Sequence, residues 1–392
     1  MTNPDRPLLP ALTSARFFAA FHIVLFHMWL IKGLARAPWW FQRFASVGYV
    51  AVTFFFVLSG FVLVYTYAGR NFGLGAFWRA RLARLYPVYL LSLLLVAPLY
   101  FYMVLKFNIP QFAWLKAHLG LSSVLVLTML QAWVPLAALA WNGVAWAVSV
   151  EISFYGLFPI LLARFSRFSN RSLAAISLVC WMMAIGAALT YVVLAPDHVI
   201  ADPSKDLLPW LSALKFNPLV RLPEFIVGLT CGYWFLRGGL RPNLATPLVL
   251  GGTALALVTT AFSHQLAYPI LHTGLYAPAF AAIICGLALR PRWAGFLEGR
   301  WLLLLGQASY ALFLLHLIFL GVILYWGALM PSRANQLTAP PIVPSLGRGV
   351  IATLTATLVA VLVFKFIEEP SRRWLRGKPK PKAATPGFAA AA

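Results

Sequence analysis

LGLSSVLVLTMLQAWVPLAALAW, residues 119–141, is apolar enough to enter a bilayer. Whether it crosses decides how everything after it is arranged. Apolar runs near 20 residues recur along the whole chain, each long enough for a hydrocarbon core of about 30 Å. Without this stretch we read ten spans: about 9–31, 46–67, 82–105, 143–164, 173–195, 217–236, 244–263, 266–289, 301–327 and 347–369. Basic clusters stand at Arg70/Arg79/Arg81/Arg84, Arg164/Arg167/Arg171, Arg237/Arg241, Arg290/Arg292/Arg300 and in the tail from Arg372 to Lys382. With ten spans all five fall on one side with both termini, and the excess of Lys and Arg in cytoplasmic loops makes that side cytoplasmic. An eleventh span at 119–141 would throw the Arg164 cluster and all later ones to the other side. Ten is therefore the expected count. The 119–141 stretch is expected as a re-entrant or interfacial piece near the outer face, carrying Trp133 and Trp141. Asp197, Asp202 and Asp206 in an opposite loop support the same orientation.

Composition agrees. The 392 residues are 61% hydrophobic and 10% charged, with mean hydropathy +0.82. A soluble protein carries more than twice that charged fraction. A membrane β-barrel would need short alternating segments, and the sequence has none. The expected fold is an all-α polytopic bundle of about ten transmembrane helices over 1–370, followed by a basic, Pro/Ala-rich tail, 371–392, expected to be disordered and cytoplasmic. The formal charge of +22 does not argue for nucleic acid. The cations lie at the ends of apolar runs, where they set topology and meet anionic lipid headgroups. Cys180, Cys231 and Cys285 sit in apolar runs without CxxC spacing, so they read as packing, and no metal is expected. No inverted repeat of the transporter kind is visible.

Only nine residues are Asp or Glu, so ionisable side chains inside the spans read as functional. Arg16 and His27 are eleven residues apart on the first helix. Eleven steps of about 100° return to nearly the same face, about 16 Å further along. His22 points elsewhere and reads as a packed histidine. Glu151, in "WNGVAWAVSVEISFYGLFP", is expected at about the depth of His27. A carboxylate beside a neutral imidazole is a common general-base arrangement, fixing the tautomer and stabilising the imidazolium. Arg79, Arg81 and Arg84 open the third span, and spacings of two, three and five predict a broad cationic rim suited to phosphate. His316 and Glu224 fall within spans, where either lines a polar cavity or bonds a neighbouring helix. Ser59, in "FFFVLSGF", lacks a nucleophile elbow and reads as a close-packing point. These features suit a phosphate-bearing donor entering from inside with a base near the outer face. They suit an anion- or proton-coupled transporter equally well.

Seven motifs in order go further: "LTSARFFAAFHIVLFH" (12–27), "FFFVLSGFVL" (54–63), "FWRARLARLYPVYL" (77–90), "WAVSVEISFYGLFP" (146–159), "RLPEFIVG" (221–228), "GQASYALFLLHL" (306–317) and "FIEEPSRR" (366–373). The set, spanning about residues 9–370, resembles the integral-membrane acyltransferase family 3 of polysaccharide O-acetyltransferase type. The resemblance implies acyl transfer from cytoplasmic acetyl-CoA to a hydroxyl of an envelope or exported glycan. It implies His27 as the catalytic histidine, Arg16 as its motif partner, and Arg79, Arg81 and Arg84 as residues handling the acyl donor. Glu151, Tyr155, Ser309, Tyr310 and His316 occupy further motif positions. Many members begin Leu-Asp-Gly-Leu-Arg, whereas this chain has Leu12-Thr13-Ser14-Ala15-Arg16, so a helper carboxylate is missing there.

The expected mechanism has His27 as general base or acyl carrier, steadied by Glu151. Trp146, Ser149, Tyr155 and Tyr310 are candidate oxyanion donors, and Trp146, Tyr155, Glu224, Tyr310 and His316 are the candidate substrate-binding residues. The expected partners are acetyl-CoA, the hydroxyl acceptor and membrane lipids. A transporter or flippase of a lipid-linked or anionic sugar is the competing class, and a non-catalytic partner in glycan assembly is a third.

Overall fold

The computed structural model describes residues 6–107, 113–198, 208–329 and 346–376. Among these there is no strand, and ten helices or end-to-end helix pairs are long and apolar enough to cross a membrane. The first is α1 (Pro10–Leu30). An amphipathic α2 (Trp39–Ser46) leads through a 3₁₀ turn into α3 (Ala51–Tyr67), and α4 (Leu74–Lys106) follows. Two short helices, α5 (Ala113–Ala117) and α6 (Leu119–Leu127), precede α7 (Trp146–Phe165) and α8 (Asn170–Leu194). Then come α9 (Pro209–Phe216) with α10 (Pro218–Leu236), α11 (Ala245–Ala261), α12 (Tyr268–His272) with α13 (Ala277–Ala288), α14 (Arg300–Leu329), and α15 (Leu346–Val363) continuing into α16 (Glu369–Arg376).

Residues 119–141 do not cross. The nine residues of α6 reach only about 14 Å, and two 3₁₀ turns follow, Gln131–Trp133 and Pro135–Ala137. Irregular backbone at membrane depth needs protein around it to satisfy its polar groups. The bundle provides this. The fully buried Gln131 amide donates to the Tyr89 hydroxyl and the Ala145 carbonyl, each at 3.2 Å. The Ala132 N–H donates to Ser149 Oγ (3.1 Å) and the Asn142 amide to the Leu314 carbonyl (2.9 Å). Among the described residues the helices apolar and long enough to cross thus number ten, as expected from the sequence.

The bundle is organised around α3, the most deeply buried span, while α8 and α11 turn much of their surface outward. Backbones touch where side chains are smallest. A methyl on Gly60 would collide with the Phe225 carbonyl, and one on Gly228 with that of Val57, so α3 and α10 meet without side chains between them. Gly306 of α14 rests on the Thr13 carbonyl of α1 in the same way.

The basic ends gather at one end of the bundle. Arg6 donates to the carbonyls of Tyr65 and Ala68, joining the start of α1 to the end of α3. Arg237 donates to Phe168 O (2.7 Å) and Ser166 O (3.0 Å), joining α10 to the α7–α8 turn. Arg290 pairs with Glu298 at 3.0 Å between α13 and α14. The third span begins earlier than expected. Its helix starts at Leu74 and runs 33 residues, so the basic run is part of the span itself. Asp202, Asp206 and the tail beyond 376 lie outside the described residues.

Candidate active site

A cavity of about 280 Å³ opens within the basic half of the bundle, between α1, α3, α4, α7 and α14. Five arginines line it, Arg6, Arg16, Arg70, Arg81 and Arg84, against a single carboxylate, Glu151. That imbalance favours an anionic guest. Arg81 and Arg84 share a wall because residues three apart on a helix are neighbours. Arg79, two residues from Arg81, faces outward and is exposed. The rim expected from the sequence is thus an inward pair plus one outward arginine. The Arg81 guanidinium lies 5.7 Å from the ring centres of both Tyr67 and Tyr155 and donates to the Tyr67 hydroxyl at 3.3 Å. Aromatic faces hold it in place while Arg81 Nε keeps an open N–H, and so does Arg70 Nη2.

Glu151 accepts a short hydrogen bond from Tyr155 and a longer one from Ser59 Oγ, 3.4 Å. Tyr155 sits one turn further along the same helix, so the bond is local. Arg16 and Arg84 are within electrostatic reach of Glu151 and of Glu368. Tyr310 donates to the Leu85 carbonyl at 2.9 Å, tying α14 to α4 behind the cavity.

His27 does not meet Glu151. Its Nδ1 lies 3.1 Å from Nε2 of His316, which α14 delivers at the same depth. The two rings stand 4.9 Å apart. Phe55 and Phe313 form an aromatic wall of the cavity with rings 6.4 Å apart, and the Phe313 ring is 6.3 Å from that of His316. His27 is half-buried, whereas His316 is wholly enclosed.

Two further candidates belong elsewhere. Glu224 forms a buried ion pair with Arg221 at 2.9 Å and accepts from Thr53 at 2.9 Å. Arg221 also donates to the His272 carbonyl and lies 5.9 Å from the Trp146 ring. This cluster joins α3, α10 and α12, and neither Trp146 nor Glu224 reaches the cavity. Ser149 is likewise engaged, accepting from Ala132.

The structure therefore brings Arg16, Arg81, Arg84, Glu151, Tyr155, Ser309 and Tyr310 together, with His27 and His316 paired beyond them. Sequence reasoning passed over Arg6 and Glu368 and read Ser59 as a close-packing point only. Ser59 was obscured by Gly60, which makes the close contact beside it. Arg6 precedes the first span. Glu368 is the last residue of a π-turn, Phe364–Glu368, is buried, and pairs with Arg372 at 3.5 Å. Its position among only nine carboxylates, within an apolar run, was the available signal.

Residues 9–365 match the family model described as an acyltransferase domain. The chain is 28% identical to acyltransferase MdmB of Streptomyces mycarofaciens, over 96% of this chain and 95% of that one. It is 24% identical to O-acetyltransferase OatA of Staphylococcus aureus over 93% of this chain, which spans 57% of that relative's length. A shorter similarity, 38% identical over 27% of this chain and 52% of the relative, is to Protein 2 in picA locus of Rhizobium radiobacter. No solved structure matches the chain.

Proposed function

The chain belongs to acyltransferase family 3 and is a membrane O-acyltransferase, and on that premise we propose that it moves an acetyl group from cytoplasmic acetyl-CoA to a hydroxyl of an envelope or exported glycan. The observation that carries the reading is the cavity, with its five arginines, its open guanidinium donors and an aromatic wall that backs onto a histidine pair. Planar guanidinium forks suit the phosphates of CoA, and the basic end is the cytoplasmic one by the positive-inside rule. The name of the staphylococcal relative supports acetyl as the acyl group.

In the mechanism, Arg70 and Arg81 hold phosphate oxygens near the mouth, and Arg16 and Arg84 carry positive charge deeper in. Rotation of Phe55 and Phe313 lets the thioester reach His27. The imidazole takes the proton of the acceptor hydroxyl as that oxygen attacks the thioester carbon. The tetrahedral centre then collapses with loss of the thiolate, and the imidazolium returns the proton to sulfur. Holding donor and acceptor in line supplies much of the rate. Glu151 acts away from the imidazole: it sets Tyr155 and Ser59 on the cavity wall and balances Arg16 and Arg84.

The test is turnover of labelled acetyl-CoA by purified protein in detergent, wild type beside His27→Ala. Turnover by wild type alone, with unfolding temperature unchanged in the variant, is expected. Near-normal turnover by His27→Ala would remove the base from the scheme. A wild type that fails to bind CoA would remove acetyl-CoA as the donor and point to another acyl carrier.

A further inference from the structure

We propose that His316 is the positioning residue of His27, holding its Nδ1–H so that Nε2 is the basic nitrogen; this rests on the reading of His27 as the base. The assignment follows from which atoms can only accept. His316 Nδ1 lies 2.8 Å from the Phe313 carbonyl and 3.2 Å from that of Leu312. Carbonyl oxygens accept and never donate, so this nitrogen carries the hydrogen. His27 Nδ1 lies 2.9 Å from the Ile23 carbonyl and carries a hydrogen for the same reason. The two rings then meet at 3.1 Å through His27 Nδ1 and His316 Nε2. Two N–H groups cannot point at one another there, so His316 Nε2 is the bare nitrogen that accepts.

One direction runs through the chain of contacts. The backbone of α14 fixes the His316 tautomer, the Ile23 carbonyl and His316 Nε2 together hold the Nδ1–H of His27, and His27 Nε2 is left with its lone pair. His316 has no other ring nitrogen to offer and no exposed edge, so it cannot itself meet a glycan. The half-buried His27 can. The Ile23 bond comes from His27's own helix and leaves the ring free to pivot about it. The contact from α14 stops that pivot and gives the imidazolium a second acceptor when Nε2 takes a proton. A carboxylate often fills this place, and the sequence pointed to Glu151 for it. Here a neutral ring on another helix fills it, and Glu151 remains with the cavity.

The direct test is the ¹⁵N spectrum of histidine-labelled wild type, with the His27 signals identified by their loss in His27→Ala. Protonated Nδ1 and bare Nε2 are expected. A bare Nδ1 would overturn the proposal, whether or not acetyl-CoA is a substrate, because this readout needs no turnover. The functional arm compares His316→Gln, whose side-chain oxygen can accept from His27, with His316→Leu, which cannot. His316→Leu should lower kcat by about 10- to 100-fold, the order seen when the hydrogen-bond partner of a metal-ligating histidine is lost, with KM for acetyl-CoA unchanged. His316→Gln should restore most of kcat. Equal loss in the two variants, or a rise in KM in place of a fall in kcat, would reduce His316 to packing. Absence of turnover in wild type would count against acetyl-CoA alone, since the spectrum of His316→Leu beside that of wild type still decides the pairing: a His27 Nδ1 signal left in place by the substitution would overturn it.

Discussion

At the residue scale the three arginines of "FWRARLAR" separate by direction. Arg81 and Arg84 line the cavity and Arg79 is exposed. Losing a charge-assisted hydrogen bond costs about 1.5–3 kcal/mol, which is roughly 10- to 100-fold in affinity. Arg81→Ala should therefore raise KM for acetyl-CoA by about that factor, while Arg79→Ala stays within about twofold. Steady-state kinetics on the two variants decide this, and equal effects would return the cluster to a role in topology. Glu224 makes the opposite prediction. Leaving Arg221 buried and unpaired costs about 3–5 kcal/mol, so Glu224→Ala should lower thermal stability sharply, and the protein that remains folded should keep its KM for the donor. Much of this chemistry was legible in the sequence. Arg16 and His27 stood out as polar residues on one stripe of an apolar helix. Their partners were not legible, because periodicity gives the face of one helix and says nothing of which neighbour meets it. Glu151 and His27 share the right chemistry, yet α7 offers Glu151 to α3 and α14 offers His316 to His27.

At the element scale the decisive feature is contact between backbones. Gly60 and Gly228 let α3 and α10 meet without side chains, and α3 supplies Phe55 and Ser59 to the cavity from the same stretch. Overpacking typically costs about 1–3 kcal/mol. Gly60→Ala should accordingly lower the unfolding temperature measured in detergent, and a larger residue at Gly228 should lower it further. A thiol-reactive dye can follow both, since Cys231 and Cys285 are buried in the folded protein. Unchanged unfolding in both variants would mean that the helices are not packed as described. The number of spans could be read from apolar runs once the basic clusters had ruled on 119–141, but the start of α4 could not. Arginine inside a predicted span signals its end to any hydropathy reading. Here a cavity takes two of those side chains inward, so the helix continues through them.

At the scale of the whole molecule, ten crossings place the described members of five basic clusters at one end. The arginine-lined cavity lies in that half, and the histidine pair lies beyond its aromatic wall. The charge pattern makes this polarity legible in the sequence itself. It also marked residues 119–141 as a re-entrant or interfacial piece, but it could not reveal the contacts that hold the stretch, such as Asn142 bonded to α14 two residues before His316. Such a contact depends on polar groups satisfied across 172 residues of chain. The proposed mechanism joins a donor site on one side of the membrane to a base near the other, so it fixes the face from which the donor must enter. Protein reconstituted in one orientation would be given labelled acetyl-CoA, which does not cross lipid, on one face at a time, and acetyl release would be measured. Release only when the donor is on the face exposing the basic ends is the predicted result. Release from the opposite face, or equally from both, would contradict it.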